Sequence, residues 1–358
     1  MKNKMKKFSI ILASVFGLMT LVTSCNDEWT QEQYEHFVSF KAPLDDKGGV
    51  SSIYVPYTRL NADRTAPLYG VGVSDYKLPM IVSGTTKNDR DFTVSVGHDT
   101  DTLSVLNYAW FQNRTDLYYK DFSDYADYPG SVNFKSGDDI ALLNVKFNFA
   151  GVDMVEKWVL PIMIKDDGVS PYQSHPRKHY GKALLRVYPY NSYSGNYSAV
   201  TLLVKQSPDK ESLPSASGSG QEVARGYVVD EDEIFFYAGT IDESRTDRKN
   251  YKVYCRFIPN VDETGSVDEN AGVVELYSKN PDMQFETDGK ATYTIYEKAD
   301  DIKPYLKHRY VIISDINYTF ADYTLVKNRV MWYNATGSLT HERQINTQIP
   351  DDDAAIDW

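Results

Sequence analysis

A small number of residues in this chain carry distinctive chemistry. Cys25 follows Leu21-Val22-Thr23-Ser24, two aliphatic and two small residues in the order read by a bacterial lipoprotein signal peptidase. A thiol at that position predicts lipidation, with Cys25 as the first residue of the mature chain. Tyr118, Tyr119, Tyr125 and Tyr128 crowd one loop, interleaved with Asp121, Asp124 and Asp127. Flat rings with nearby hydrogen-bond acceptors suit a neutral, polyhydroxylated ligand, because sugar C–H faces pack on aromatic faces while hydroxyls bond the rim. The alternative is that these rings fold back over a core as a cap. Trp332 and Tyr333 fall on opposite faces of a strand, so one of them should look outward. Tyr118, Tyr119, Tyr125, Tyr128 and Trp332 are therefore the candidate ring-stacking residues. Trp110, at helical spacing from Leu103 and Leu106, reads as core instead.

Other reactive types lack a constellation. His175 and His179 are spaced for one helical face, but Pro176 disfavours helix at His175, so no metal site is expected. The loop from Asp262 to Asn270 has carboxylates for calcium without EF-hand spacing and reads as solvated. The chain has no Gly-x-Ser-x-Gly elbow and no phosphate-binding glycine loop. Its 50 acidic residues offer too many pairs for any one to signal glycoside hydrolysis. No catalytic residue, metal or cofactor is predicted. Cys255 shares a strand face with Val253 and Phe257 and reads as a buried thiol. With Cys25 acylated it has no disulfide partner, so core burial must hold the fold.

The elements that position these residues follow from the rest of the sequence. Lys2, Lys4, Lys6 and Lys7 precede the apolar run from Phe8 to Val22. That run is too short and interrupted for a transmembrane helix and matches a cleaved secretory signal. Cleavage removes those four lysines and takes the net charge from −12 to −16. A chain this acidic is a poor nucleic-acid binder. Its 28 tyrosines favour strands.

The expected fold is all-β. Leu143, Val145, Phe147 and Phe149 alternate strictly with Asn144, Lys146 and Asn148, a half-buried strand. Trp158–Ile164 is apolar on both faces and reads as central. Similar short strands between turns, with one helix over Thr102–Phe111, predict an immunoglobulin-like β-sandwich. A turn-rich stretch after Pro189 begins a second strand series, a meander long enough to close as an antiparallel barrel. The expected organisation is a signal peptide over 1–24, a tether over 25–35, a sandwich over 36–188 and a barrel over 189–358. Whether the barrel is hollow enough for a small apolar ligand is left open by the residues.

Several segments carry a family resemblance. They are Leu78–Gly84 with Asn88–Asp91, Phe111–Thr115, His175–Val187 and the terminal Thr347–Trp358. Together they resemble Bacteroides-type outer-membrane lipoproteins of polysaccharide-utilisation loci, in which an immunoglobulin-like domain of unknown function 1735 precedes a lipocalin-like domain. The resemblance implies an outward-facing surface protein that captures oligo- or polysaccharide or contributes to adhesion, and the missing catalytic constellation makes a non-catalytic glycan binder the expected function. The resemblance also implies outer-membrane lipid attached through Cys25 and a glycan-uptake transporter complex as partners. Asp27 and Glu28 resemble the surface-export signal of such proteins. A surface adhesin for host protein or matrix, and a glycoside hydrolase, are the competing expectations.

Overall fold

A computed structural model describes residues 34–42, 49–177 and 180–357. Cys25, the leader, the first part of the tether, His179 and Trp358 lie outside the described residues.

Ten strands build the N-terminal half: β1 (Val38–Phe40), β2 (Ser51–Pro56), β3 (Val73–Val82), β4 (Phe92–His98), β5 (Tyr119–Asp121), β6 (Ala126–Asp127), β7 (Ser131–Phe134), β8 (Ile140–Asn148), β9 (Lys157–Lys165) and β10 (Lys182–Tyr190). They form two sheets, ordered β1-β3-β8-β6 and β2-β10-β9-β4-β7, with β5 parallel to one end of β9. The alternation in β8 is realised: Leu143, Val145 and Phe147 are fully buried between the sheets, while Asn144, Lys146 and Asn148 face water. Leu78 and Met80 from β3 meet Val94, Leu160, Ile162 and Leu185 of the facing sheet in one core. Each such side chain contributes about 1.5–3 kcal/mol on burial. This is a β-sandwich.

Central β9 is covered on both sides. Its Val159 packs away from the sandwich core, with Val50, Leu103 and Leu184. Leu103 belongs to the only α-helix among the described residues, α1 (Thr100–Phe111). Asp99 caps it, accepting the Thr102 N–H at 3.2 Å, and pairs with Lys182 at 2.9 Å. Burial opposes ionisation of Asp99, but those two partners outweigh it and hold the carboxyl below its usual range. Asn107 is buried in the same helix and bonds the Tyr119 backbone twice, at 2.8 and 2.9 Å. The expectation that Trp110 is core is corrected: it is 39% exposed. The last helical turn rests on the Tyr119 ring, 6.1 Å away, rather than entering the sandwich.

Eleven strands follow: β11 (Gly195–Ser198), β12 (Leu203–Ser207), β13 (Val223–Val228), β14 (Glu233–Tyr237), β15 (Lys252–Val261), β16 (Val267–Tyr277), β17 (Glu286–Thr287), β18 (Thr292–Ala299), β19 (Leu306–Val326), β20 (Arg329–Asn346) and β21 (Ile356–Asp357). The antiparallel order β11-β13-β14-β15-β16-β18-β19-β20 returns to β11 through Tyr197 opposite His341, closing eight strands into a barrel. Strands β19 and β20 are long enough to pair twice, β20 with both β11 and β12, β19 with both β18 and β17. They bend where Asp315 takes a left-handed conformation in a bulge and Gly337 faces it. A Cβ at Gly337 would collide with the Thr201 carbonyl.

Eight strands leave an interior about wide enough for side chains to fill. Tyr197, Cys255, Phe257, Tyr293, Tyr318 and Phe320, each 2% exposed or less, occupy it. The barrel interior is thus a packed core. Val253, Cys255 and Phe257 share its inward face, and burial pushes the Cys255 thiol well above its ordinary value.

Candidate functional site

The sandwich ends at Tyr190 and the barrel begins at Gly195, so the two bodies are joined by a four-residue turn. In β10, Leu185 and Val187 point into the sandwich core, so the period of two turns Arg186 and Tyr188 outward. In β13, Gly226 faces the barrel core beside Ile234 and Tyr197, so Arg225 and Tyr227 turn outward in the same way. The short turn sets these two outward faces against each other.

The result is a cleft walled by matched Arg-x-Tyr pairs, one from each domain. The Arg225 guanidinium carbon sits 3.8 Å from the centre of the Tyr188 ring and 5.7 Å from that of Tyr227. The Arg186 guanidinium carbon lies 4.7 Å from the centre of the Tyr188 ring and 5.7 Å from that of Tyr119. Tyr54 stacks on Tyr188 with centroids 5.4 Å apart. Glu243, from the barrel loop after β14, accepts two hydrogen bonds from Arg186 Nη2 at 2.9 and 3.0 Å and one from the Tyr227 hydroxyl at 2.5 Å. A chamber of about 130 Å³ lies between the domains, and a groove of about 400 Å³ adjoins it; Arg186, Tyr188, Arg225, Tyr227 and Glu243 line both.

The electrostatics follow from this packing. Burial would raise the Glu243 pKa, but Arg186, the Tyr227 hydroxyl and Arg225 outweigh it and hold the carboxyl at about 2. Burial pushes the Tyr188 hydroxyl up to about 12, against the pull of the two arginines. Lys157, at the start of β9, is pulled below its ordinary value by burial; Glu243 opposes this, and Arg186 and Arg248 add to it. His341 on β20 lines the chamber and is 5% exposed. Burial and neighbouring Arg343 bring its pKa down to about 4, so the ring is neutral at pH 7.

Further contacts hold the walls in place. Arg343 donates to the carbonyls of Asn191 and Ser194 at 3.0 Å each, pinning the inter-domain turn. Arg248 of the barrel donates to the Val155 carbonyl at 3.1 Å, and Lys252 pairs with Asp153 at 2.7 Å. After β20 the chain returns to the sandwich, where Asp353 meets Arg59 at 2.5 Å and the Tyr190 hydroxyl at 2.9 Å.

The sequence-derived candidates are dispersed. Tyr119 borders the cleft beneath Arg186. Tyr118 leans on Phe111, and its hydroxyl donates to the Gln112 carbonyl at 2.5 Å. Tyr125 stands against Phe122 and Trp158, with 37% of its surface open. Tyr128 is half-buried against the sandwich core. Trp332 lies on the outer wall of the barrel, 6.0 Å from the Lys210 ammonium, while Tyr333 turns inward onto Phe320. The tyrosine loop belongs to the sandwich and Trp332 to the barrel, and neither the chamber nor the groove is lined by Tyr118, Tyr125, Tyr128 or Trp332. Sequence reasoning passes over Tyr54, Arg186, Tyr188, Arg225, Tyr227 and Glu243. The available signal is the repeated outward Arg-x-Tyr, Arg186-Val187-Tyr188 and Arg225-Gly226-Tyr227, on strands either side of the domain boundary.

Comparison with known proteins adds to this geometry. Residues 29–168 match the family model Domain of unknown function (DUF4973), and residues 181–340 match a model for a C-terminal domain. The structure resembles an auxiliary nutrient binding protein from Bacteroides thetaiotaomicron, 43% identical, over 91% of this chain and 100% of that one, with a TM-score of 0.80. It also resembles a multidomain protein including DUF1735 from Bacteroides ovatus, 37% identical, over 90% of this chain and 100% of that one, with a TM-score of 0.75. A protein of unknown function from Bacteroides ovatus is 30% identical over 92% of this chain and 97% of its own, with a TM-score of 0.72. No curated protein matches the chain.

Proposed function

We propose a function from one premise: the chain belongs to the family of two-domain Bacteroides proteins that carry this domain of unknown function, proteins of the polysaccharide-utilisation type. It is a non-catalytic nutrient-binding protein, and its nutrient is a saccharide held in the cleft between sandwich and barrel. Cys25 carries lipid and tethers it to the outer membrane, facing outward, where it passes glycan to an uptake transporter.

The observation that carries this reading is the inter-domain cleft itself. Domain interfaces are favoured places for ligand sites, and this one combines aromatic faces with fixed hydrogen-bonding groups. Tyr54 and Tyr188 line the wall as aromatic rings, Tyr188 braced by Arg186 and Arg225, Arg186 and Glu243 are locked by their mutual bonds, and the floor is sheet on both sides. Such preorganisation lowers the entropic cost of binding. A likeness to an auxiliary nutrient binding protein supports the same reading. The role needs retention at a surface, and the Leu21–Cys25 motif supplies it.

The test is isothermal calorimetry of the mature protein against a panel of dietary and host polysaccharides. Binding of at least one glycan, with no reducing ends released on prolonged incubation, is the expected result. A panel without any binder, or one in which a polymer is cleaved, contradicts the proposal.

A further inference from the structure

Two cations of the cleft, Lys157 and Arg225, lack an ion-pair partner among the described residues, and a neutral ligand would supply none. Lys157, Arg186, Arg225 and Arg343 line the chamber with Glu156, Glu243, Glu342 and Asp357, and Arg186 engages Glu243 at 2.9 Å. Among the described residues no carboxylate lies within ion-pair distance of Lys157 or Arg225. Of the other acids on these walls, Glu342 is committed to His308 at 2.6 Å, while Glu156 and Asp357 in the chamber and Asp242 in the groove lie outside ion-pair distance of Lys157 and Arg225. Lys157 is half-buried with its ammonium 5.5 Å from the centre of the Phe111 ring, and burial with nearby Arg186 and Arg248 depresses it against the pull of Glu243 and Asp242. A second group also awaits a partner. His341 Nδ1 faces the Asn196 carbonyl at 2.9 Å, which places the proton on Nδ1 and leaves Nε2 as an acceptor. That Nε2 is buried without a hydrogen-bond partner.

We infer that the cleft takes an acidic saccharide, a sugar unit bearing a carboxylate of the uronic acid kind. The carboxylate sits between Lys157 and Arg225, and a sugar hydroxyl donates to His341 Nε2. The inference rests on the saccharide-binding reading above and sharpens its ligand class. Closing the cleft over a neutral sugar would strip water from two cations and return no counter-charge, which is costly. A carboxylate returns it. The acidity of the whole chain does not oppose this. At physiological salt the field of distant surface charges is screened beyond about 8 Å, whereas these cations are in direct reach.

Calorimetry separates the possibilities when the mature protein is titrated with oligomers of galacturonan, alginate and hyaluronan, each beside its carboxyl-reduced counterpart, and with a sulfated galactan free of carboxylate. At least one uronate oligomer is expected to bind about tenfold or more tightly than its reduced form. That preference should collapse in Lys157→Gln and in Arg225→Gln and survive in Lys146→Gln, a change on an exposed face of the sandwich. Thermal melts of the variants confirm that each is folded. Equal binding of acid and reduced forms overturns the acidic assignment and leaves saccharide binding standing. Preference for the sulfated chain alone overturns the carboxylate. Binding of no oligomer, acidic or neutral, overturns both readings.

Discussion

Arg225 of the barrel lies over the ring of Tyr188 of the sandwich, its guanidinium carbon 3.8 Å from the ring centre. The contact crosses the domain boundary and joins the two Arg-x-Tyr strands into one wall. It makes the cleft a property of how the domains meet rather than of either one. A desolvated cation on an aromatic face contributes up to about 2 kcal/mol, so the contact also helps hold the domains in register.

Glu243 should be the principal anionic brace of this interface. Its carboxyl falls from an ordinary 4.5 to about 2 in the folded protein. A depressed acid stabilises fully above its unfolded pKa, and that contribution is lost as pH falls through the folded value. Urea unfolding should therefore show stability declining as pH drops from about 4.5 toward 2. Glu243→Gln should cost about 2 kcal/mol at pH 7 and flatten that part of the profile. An unchanged profile in the variant would remove Glu243 from the brace.

The entry into the barrel, just after the inter-domain turn, depends on one glycine. Gly195 has φ near +140°, and a Cβ there would collide with the His341 ring. Gly195→Ala should destabilise the protein by about 2 kcal/mol. Gly130→Ala, which meets open space, should change it by less than about 0.5 kcal/mol. Equal midpoints for the two variants in denaturant titration would contradict the geometry.

Much of this architecture is legible in the amino-acid pattern. The alternation of Leu143, Val145 and Phe147 fixes a strand face because side chains repeat every two residues. The same rule places Val253, Cys255 and Phe257 together and turns Tyr333 and Trp332 apart. The cleft is not legible in that way. Arg186 and Glu243 come from different domains, and no local period records that they meet. Trp110 misleads for a related reason: helical spacing reports which face a residue shares, not where the helix stops lying on a sheet. The tyrosine loop is conspicuous by composition, yet Tyr118, Tyr125 and Tyr128 are largely spent on neighbouring rings and backbone.

The anchor and the fold should be separable. Cys25→Ala should shift the protein from the membrane fraction to the soluble one while leaving its melting temperature unchanged. A soluble form that is unfolded would make the anchor part of the fold.

In that unlipidated form Cys255 is the sole thiol. Its burial in the barrel and its raised pKa predict no reaction with a thiol reagent in native buffer and prompt reaction after denaturation. Native labelling at the rate of a free thiol would contradict a packed barrel interior.

The central claim is that ligand sits between the domains. It is tested most directly by comparing Tyr188→Ala with Trp332→Ala in calorimetric titrations against whichever glycan the protein binds. The account predicts that Tyr188→Ala weakens binding about tenfold or more, near 1.4 kcal/mol, while Trp332→Ala stays within about twofold of the parent. Affinity lost with Trp332 and kept without Tyr188 would place the site on the barrel wall and contradict it.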